Sequence, residues 1–233
     1  MRGRTILALA HPGPSAATVL VALLFMLLLA RGHLPPGRAA LVAAMLAGQQ
    51  VAISLHNDWC DRALDAGAKP WRAIPSGAVA AGHVRRAAWL LAALSLAVAA
   101  TISWTEALLD LAGLAAGFAY NARLKRTVWS WLPFAVAFPL LPLFGAVALP
   151  GLHVPVSWWL VSYAIGVPAA VAIHLADTLP DLRADTAFGV RGLAHRLGVR
   201  RARALRTALA LLAVLAAVGG YYATSLHDYF AMG

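Results

Sequence analysis

Two short stretches of the sequence contain most of its carboxylate side chains. The segments VAISLHNDWCDRALD (51–65) and VAIHLADTLPDLRAD (171–185) align without a gap, and each contains an Asn or Asp followed by two Asp residues at intervals of four. With Asp58, they hold six of the nine acidic residues of the chain. Their similarity indicates a duplicated unit. The pattern comprises Asn57, Asp61 and Asp65 in the first copy and Asp177, Asp181 and Asp185 in the second.

A spacing of four residues places these polar groups along one face of a helix, if both segments are helical. Pro180 is expected to weaken that geometry in the second copy. Clustered carboxylates repel one another unless a cation binds them. Their oxygens suit Mg²⁺, which is usually held by one or two carboxylates together with substrate phosphates. The sequence therefore predicts that the two clusters face each other and hold a diphosphate through Mg²⁺.

Basic residues near both stretches are candidates to bind the phosphate oxygens. Arg and Lys suit such oxygens because they donate charge-assisted hydrogen bonds. For each of them the alternative is a charge that only sets membrane topology or faces lipid headgroups. The candidates are Lys69 and Arg72 after the first copy, Lys125 and Arg126 farther along, and Arg183 and Arg191 in and after the second copy.

Long apolar stretches indicate how these groups are positioned. The chain has 233 residues, of which 61% are hydrophobic and 12% are charged. A membrane-spanning helix needs roughly 20 apolar residues, and seven stretches approach that length. The sequence therefore predicts an all-α, polytopic transmembrane helical bundle in which both acidic motifs follow a span. The predicted spans are 15–31, 38–56, 84–104, 106–122, 130–149, 155–176 and 204–224.

The distribution of positive charge predicts the orientation. If the amino terminus is cytoplasmic, Arg31 and Arg38 are the only Lys or Arg residues on the outer side. This asymmetry follows the positive-inside rule, so the net charge of +10 does not require nucleic-acid binding. We expect an integral membrane protein, in a bacterial inner membrane, with both motifs at the cytoplasmic face and the carboxyl terminus outside.

Polar residues within the apolar stretches are also informative. At least one of Gln49 and Gln50 is expected to face an internal chamber or to bond a neighbouring helix. His174 lies three positions before Asp177, so on a helix it could point into the same acidic site. A packing or capping role is the favoured interpretation of His174.

The motifs in their order along the chain resemble the UbiA superfamily of intramembrane prenyltransferases. The resemblance rests on NDWCDRALD followed by KPWRAIPSG, on YNARLK at 120–125, and on DTLPDLRAD leading into GVRGLAHRLG. It covers about residues 15–225 and implies a single domain over 1–233, with repeat units near 38–77 and 155–192. Family members usually have nine spans, so the seven predicted here lack the last two. Asn121 stands where the family more often has serine.

The resemblance implies a role for each matching residue. Mg²⁺ would be held by the six residues of the repeated pattern: Asn57, Asp61, Asp65, Asp177, Asp181 and Asp185. Asp58 would belong to the diphosphate and Mg²⁺ shell, together with Arg126 and Arg191. Asp61 and Asp181 are also the leading catalytic candidates. Lys69, Arg72, Tyr120 and Lys125 would line the same pocket.

The predicted function is the Mg²⁺-dependent ionisation of a polyprenyl diphosphate in the membrane. The prenyl group would then pass to an aromatic or other lipophilic acceptor. A terpene cyclase of the same superfamily, which needs no acceptor, is one alternative. A divalent-cation transporter is the second, although its site is expected at the membrane midplane rather than at one face. The sequence leaves the oligomeric state open.

Overall fold

The computed structural model describes residues 8–180, 182, 186 and 189–231, with side chains as far as residue 220. The predicted all-α fold is confirmed. Short 3₁₀ turns occur at Ala8–Ala10, Leu124–Arg126, Val128–Trp131 and Phe138–Leu140. The α-helices are α1 (Pro12–Leu29), α2 (Pro36–Ala68), α3 (Ala81–Ile102), α4 (Trp104–Ala122), α5 (Leu132–Ala137), α6 (Leu141–Ala148), α7 (Val156–Thr178) and α8 (Leu193–Ala231).

Six helical segments in the described part of the chain are long and apolar enough to cross a membrane. These are Pro12–Leu29, Pro36–Ala68, Ala81–Ile102, Val128–Ala148, Val156–Thr178 and Leu193–Gly220. The predicted span 106–122 is also helical, as α4, but it is not among the six. Helix α4 instead buries two carboxylate side chains, Glu106 and Asp110.

The structure divides into two compact units. The first contains the residues up to Arg123 and Leu140–His153, and therefore α1 to α4 and α6. The second contains Leu124–Pro139 and the chain from Val154 onward, and therefore α5, α7 and α8. The predicted repeat units near 38–77 and 155–192 thus lie in different units. A single domain over 1–233 stays a prediction.

Small residues let the helices of the first unit approach closely. A Cβ atom added to Gly117 of α4 would lie 2.6 Å from Cδ1 of Ile53 in α2. One added to Gly113 would lie 2.6 Å from the Gln49 side chain. Such contacts are typical of membrane helices, where close packing replaces the hydrophobic effect as the source of association.

A buried polar network joins α2, α3 and α4. The Gln49 side chain donates a hydrogen bond to Asp110 Oδ1 over 2.7 Å, and the Ser95 hydroxyl donates to Asp110 Oδ2 over 2.9 Å. Gln50 donates to Gln49 over 3.2 Å. Gln49 therefore bonds a neighbouring helix, one of the two roles expected from the sequence. Glu106, one turn before Asp110, is fully buried, and neither carboxylate oxygen has a hydrogen-bond partner.

Proline and glycine occur within and between the helices of the second unit. Pro168 lies inside α7, and Pro139 lies in the 3₁₀ turn that follows α5. Helix α8 changes direction at Gly198, whose φ of 75° places it in the left-handed region. The core beneath these elements includes Val171 and Leu175 of α7 and Ala194 of α8.

We predict that Gly145→Ala destabilises the first unit. A Cβ at Gly145 of α6 would lie 2.8 Å from the backbone nitrogen of Met26 in α1, and this backbone atom cannot rotate away. Overpacking of this kind costs about 1–3 kcal/mol. Thermal unfolding in detergent measures the change. The control is Gly37→Ala, because Gly37 is helical with nothing within 4 Å of an added Cβ. Equal stability of the two variants would contradict the α1–α6 contact.

Candidate functional site

Helix α2 is longer than a membrane crossing requires, and the first acidic motif lies in its carboxyl-terminal part. Its 33 residues correspond to roughly 50 Å at 1.5 Å per residue, whereas the hydrocarbon core is about 30 Å thick. The helix continues without a break to Ala68, so Asn57, Asp61 and Asp65 lie on one helical face. Asp65 is buried, and Asn57 and Asp61 are half-buried.

Arg72 joins two carboxylates of this helix end. Its Nη1 atom donates to Asp58 Oδ1 over 2.6 Å and lies 3.7 Å from Asp65 Oδ2. The Asp58 and Asp65 side chains are only 6% and 5% exposed. Asp58 and Asp65 are seven residues apart, which is close to two helical turns, and this explains how one guanidinium reaches both. Asp58 of α2 therefore forms a buried ion pair with Arg72 in the loop that follows the helix.

The loop after α2 holds Arg72 in place. Arg72 N–H donates to the Lys69 carbonyl, and the Arg72 carbonyl accepts from Ser76 N–H. The neighbouring Ala73 is buried in a cluster with Leu55 of α2 and Val84 of α3. Because the residue next to Arg72 is packed, the backbone position from which the Arg72 side chain extends is fixed. Lys69, by contrast, is exposed.

A third partner of the motif comes from the amino-terminal segment. His11 Nε2 lies 3.2 Å from Asp58 Oδ1, the same oxygen that accepts from Arg72. No sequence pattern indicates a role for His11. It lies 47 positions from Asp58, outside every motif, and only the packing of residues 8–11 against α2 brings the two together.

The carboxyl end of α4 is tied to α2 one turn before the motif. The buried Asn121 donates through Nδ2 to the Ile53 carbonyl over 2.9 Å. Phe118, one turn earlier in α4, stacks on His56 with ring centroids 4.1 Å apart. Asn121 therefore serves helix packing at the position where serine was expected from the resemblance. Tyr120, next to it, is half-buried.

The second motif begins at the end of α7. This helix ends at Thr178, two residues before Pro180. Asp177 lies in the last turn and is exposed. Asp181 and Asp185 lie outside the described residues, as does Arg183. The predicted helical face of the second copy therefore stays a prediction.

His174 takes part in a buried contact of the second unit. Its Nε2 lies 3.0 Å from the Ser130 hydroxyl oxygen, which also accepts from the backbone N–H of Leu193 over 3.0 Å. The Phe134 ring lies 4.6 Å from the His174 ring. Ser130 thus connects α7 to the first residue of α8, as expected for a packing role of His174.

The remaining basic candidates have different degrees of exposure. In the second unit, Lys125 is half-buried in the 3₁₀ turn Leu124–Arg126, and Arg126 is exposed. Arg191 is exposed two residues before α8 begins. The adjacent Gly192 is buried, and a Cβ there would lie 2.9 Å from Ser130 Oγ. The packing of Gly192 fixes the backbone next to Arg191.

The side chains at the end of α2 fit a Mg²⁺ site chemically. Asn57, Asp61 and Asp65 carry side-chain oxygen atoms within nine residues, and oxygen is the donor that Mg²⁺ prefers. Among the described residues, which omit Asp181 and Asp185, there is no group of three or more His, Cys, Asp or Glu side chains arranged around a common metal position.

The fold and the acidic helix end together define an integral membrane protein with a polar site at the end of a spanning helix. The chain belongs to the UbiA prenyltransferase family, which it matches over residues 16–233. The resemblance inferred from the motifs is therefore confirmed.

Individual relatives support the same assignment. The bacteriochlorophyll synthase 33 kDa chain of Cereibacter sphaeroides is 34% identical over 186 residues, which cover 75% of this chain and 60% of that protein. The digeranylgeranylglyceryl phosphate synthase of Methanoregula boonei is 32% identical over 233 residues, which cover 94% and 80%. The chain therefore spans less than two thirds of the length of the Cereibacter protein.

A solved structure shows the same fold. The UbiA homolog from Archaeoglobus fulgidus, bound to DMAPP and Mg²⁺, superposes with a TM-score of 0.73 at 19% identity. The match covers 89% of this chain and 74% of that one.

Proposed function

We propose that the protein is a Mg²⁺-dependent intramembrane prenyltransferase. It would ionise a polyprenyl diphosphate and transfer the prenyl group to an aromatic or other lipophilic acceptor. The observation that carries the proposal is the buried cluster of Asp58, Asp65 and Arg72 at the end of α2. Family membership adds the reaction class.

The metal-binding role is assigned to the repeated motif. Bound Mg²⁺ would neutralise charge that develops on the leaving diphosphate. Asp61 and Asp181 are the leading ligands. The others proposed are Asn57, Asp65, Asp177 and Asp185. The Mg²⁺ bound by the Archaeoglobus homolog supports the use of this ion in the family.

The cationic residues would bind the phosphate oxygens that the metal leaves open. Arg72 has the clearest support because its guanidinium carries five N–H donors and both of its carboxylate contacts run through Nη1. The other proposed phosphate ligands are Lys69, Lys125, Arg126 and Arg191. Asp58 would orient Arg72 through their ion pair.

The second stage requires that the allylic cation avoid water. A site at the end of apolar helices provides such surroundings, and aromatic faces stabilise a cation. We propose that Tyr120 lines this part of the pocket, since it is half-buried at the end of α4. The acceptor would enter from the lipid phase. The expected location is a bacterial inner membrane, with the site at the cytoplasmic face.

Purified protein incubated with a prenyl diphosphate tests this function. Geranyl, farnesyl and geranylgeranyl diphosphate are supplied with Mg²⁺, with and without an aromatic acceptor, and released diphosphate and lipid products are measured. We expect release that depends on Mg²⁺ and on an acceptor, and that stops when EDTA is added.

Other outcomes identify the alternatives. Diphosphate release with a hydrocarbon product and without an acceptor would indicate a terpene cyclase. If none of the donors releases diphosphate while proteoliposomes accumulate Mg²⁺, the protein would be a cation transporter and the transferase proposal would be wrong.

A further inference from the structure

The amino-terminal segment is built into the first acidic motif. Leu9, in the 3₁₀ turn Ala8–Ala10, is 6% exposed and belongs to a cluster with Leu55, Ala73 and Val84. Leu55 is three residues before Asp58, and Ala73 directly follows Arg72. Leu9 therefore packs against both elements that carry this ion pair.

The backbone of His11 is held in an uncommon conformation. Its φ of 43° and ψ of 60° are left-handed, although His11 precedes Pro12, and a residue before proline favours extended geometry. Left-handed residues other than glycine require surrounding structure to hold them. Here the Ser15 backbone N–H donates to the His11 carbonyl, and the Ser15 hydroxyl donates to the Ala10 carbonyl.

This conformation accompanies a specific contact at the site. The His11 imidazole lies 3.2 Å from Asp58 Oδ1 through Nε2, while Arg72 Nη1 lies 2.6 Å from the same oxygen. Two donors from separate segments thus converge on one carboxylate. Arg72 is also 3.7 Å from Asp65, so a single guanidinium is shared by two acids, and His11 gives Asp58 a second partner.

We propose that His11 is a positioning residue for diphosphate binding. It holds the Asp58 carboxylate in place and satisfies it, so that Arg72 can turn donors toward phosphate oxygens without leaving Asp58 buried and unpaired. An unpaired buried charge carries a large penalty, and His11 lowers that penalty when substrate binds. This inference rests on the proposed function, because it assigns Arg72 to the diphosphate.

The first test measures the binding of geranylgeranyl diphosphate with Mg²⁺ by the full chain in detergent. We expect His11→Ala to weaken binding roughly five- to tenfold, as for loss of a hydrogen bond to a charged group that acts indirectly. KM should rise by a similar factor, and kcat should change less than about twofold, since His11 does not touch the reacting atoms. His11→Gln, which keeps an N–H donor, should recover most of the affinity.

The matched control is His33→Ala. His33 is an exposed histidine whose ring nitrogen bonds only a local carbonyl, that of Arg31, in a turn between α1 and α2. The His33→Ala variant should bind the substrate as tightly as the wild type. If His11→Ala binds as tightly as His33→Ala, or if His11→Gln is as impaired as His11→Ala, the positioning role is wrong.

A double-mutant cycle separates this inference from the proposed function. In an Asp58→Asn background, His11→Ala should cause little further loss of affinity. If the wild type binds no prenyl diphosphate, the proposed function fails, and the same four proteins are compared by thermal unfolding. Additive effects of the two substitutions, on binding or on the melting temperature, would show that His11 and Asp58 are not coupled and would overturn the inference.

Discussion

Asp61→Ala and Asp181→Ala are each expected to abolish turnover while the protein remains folded in the membrane. If Asp61 and Asp181 bind Mg²⁺ as proposed, loss of either carboxylate removes several kcal/mol of transition-state stabilisation, which corresponds to a rate reduction of at least about 10³-fold. Diphosphate release from geranylgeranyl diphosphate, measured at saturating Mg²⁺, gives the rate. A variant that retains near-normal activity removes its residue from the site.

The combination of the two substitutions tests whether the motifs serve one reaction. If Asp61 and Asp181 bind metal for the same diphosphate, the double variant should be no slower than the slower single variant, because residues that act as a unit are not additive. Arg62→Ala is the neighbouring control. Arg62 is exposed, and its guanidinium contacts the carbonyl and ring of Trp59 on the same helix. The Arg62→Ala variant should keep its activity within about twofold of the wild type.

Arg72→Ala is expected to be the most destabilising substitution at the site. It leaves Asp58 and Asp65 buried without the guanidinium that they share, and the His11 contact to Asp58 replaces it only in part. Removal of one partner from a buried ion pair costs about 3–5 kcal/mol, and thermal unfolding in detergent will report the loss. Arg72→Lys should recover only part of it, since an ammonium group lacks the planar fork of guanidinium.

Two comparisons make the Arg72 result specific. Lys69→Ala removes a nearby exposed cation and should change stability by less than about 0.5 kcal/mol. Adding Asp58→Asn to Arg72→Ala should recover stability, because one uncompensated charge disappears. An Arg72→Ala protein as stable as Lys69→Ala would mean that the ion pair contributes nothing.

The first motif was predictable because the information is local. Asn57, Asp61 and Asp65 follow an apolar stretch at helical spacing, and the helix continues through all of them. Repetition of the pattern near residue 177 added the family resemblance, which the match over residues 16–233 confirms. Spacing could not predict the role of Asp58, which lies outside the interval of four and is explained by Arg72, fourteen residues away.

Contacts between segments that are distant in the sequence could not be predicted from its patterns. His11 reaches Asp58 through the packing of Leu9, and Asn121 reaches the Ile53 carbonyl through a close approach of α4 to α2. Neither contact leaves a periodic signal. Glu106 and Asp110 likewise give no sequence signal, because two acids within a mostly apolar stretch do not show whether they face lipid or a neighbouring helix.

The polar network around Asp110 has a consequence for the biogenesis of the protein. An aspartate within a membrane helix opposes partitioning from the translocon, by about 2.5–3.5 kcal/mol at the helix centre, and α4 carries both Asp110 and Glu106 in its first half. The groups that satisfy Asp110, Gln49 and Ser95, belong to the two preceding helices. We therefore expect α4 to integrate together with these already synthesised helices rather than as an independent segment.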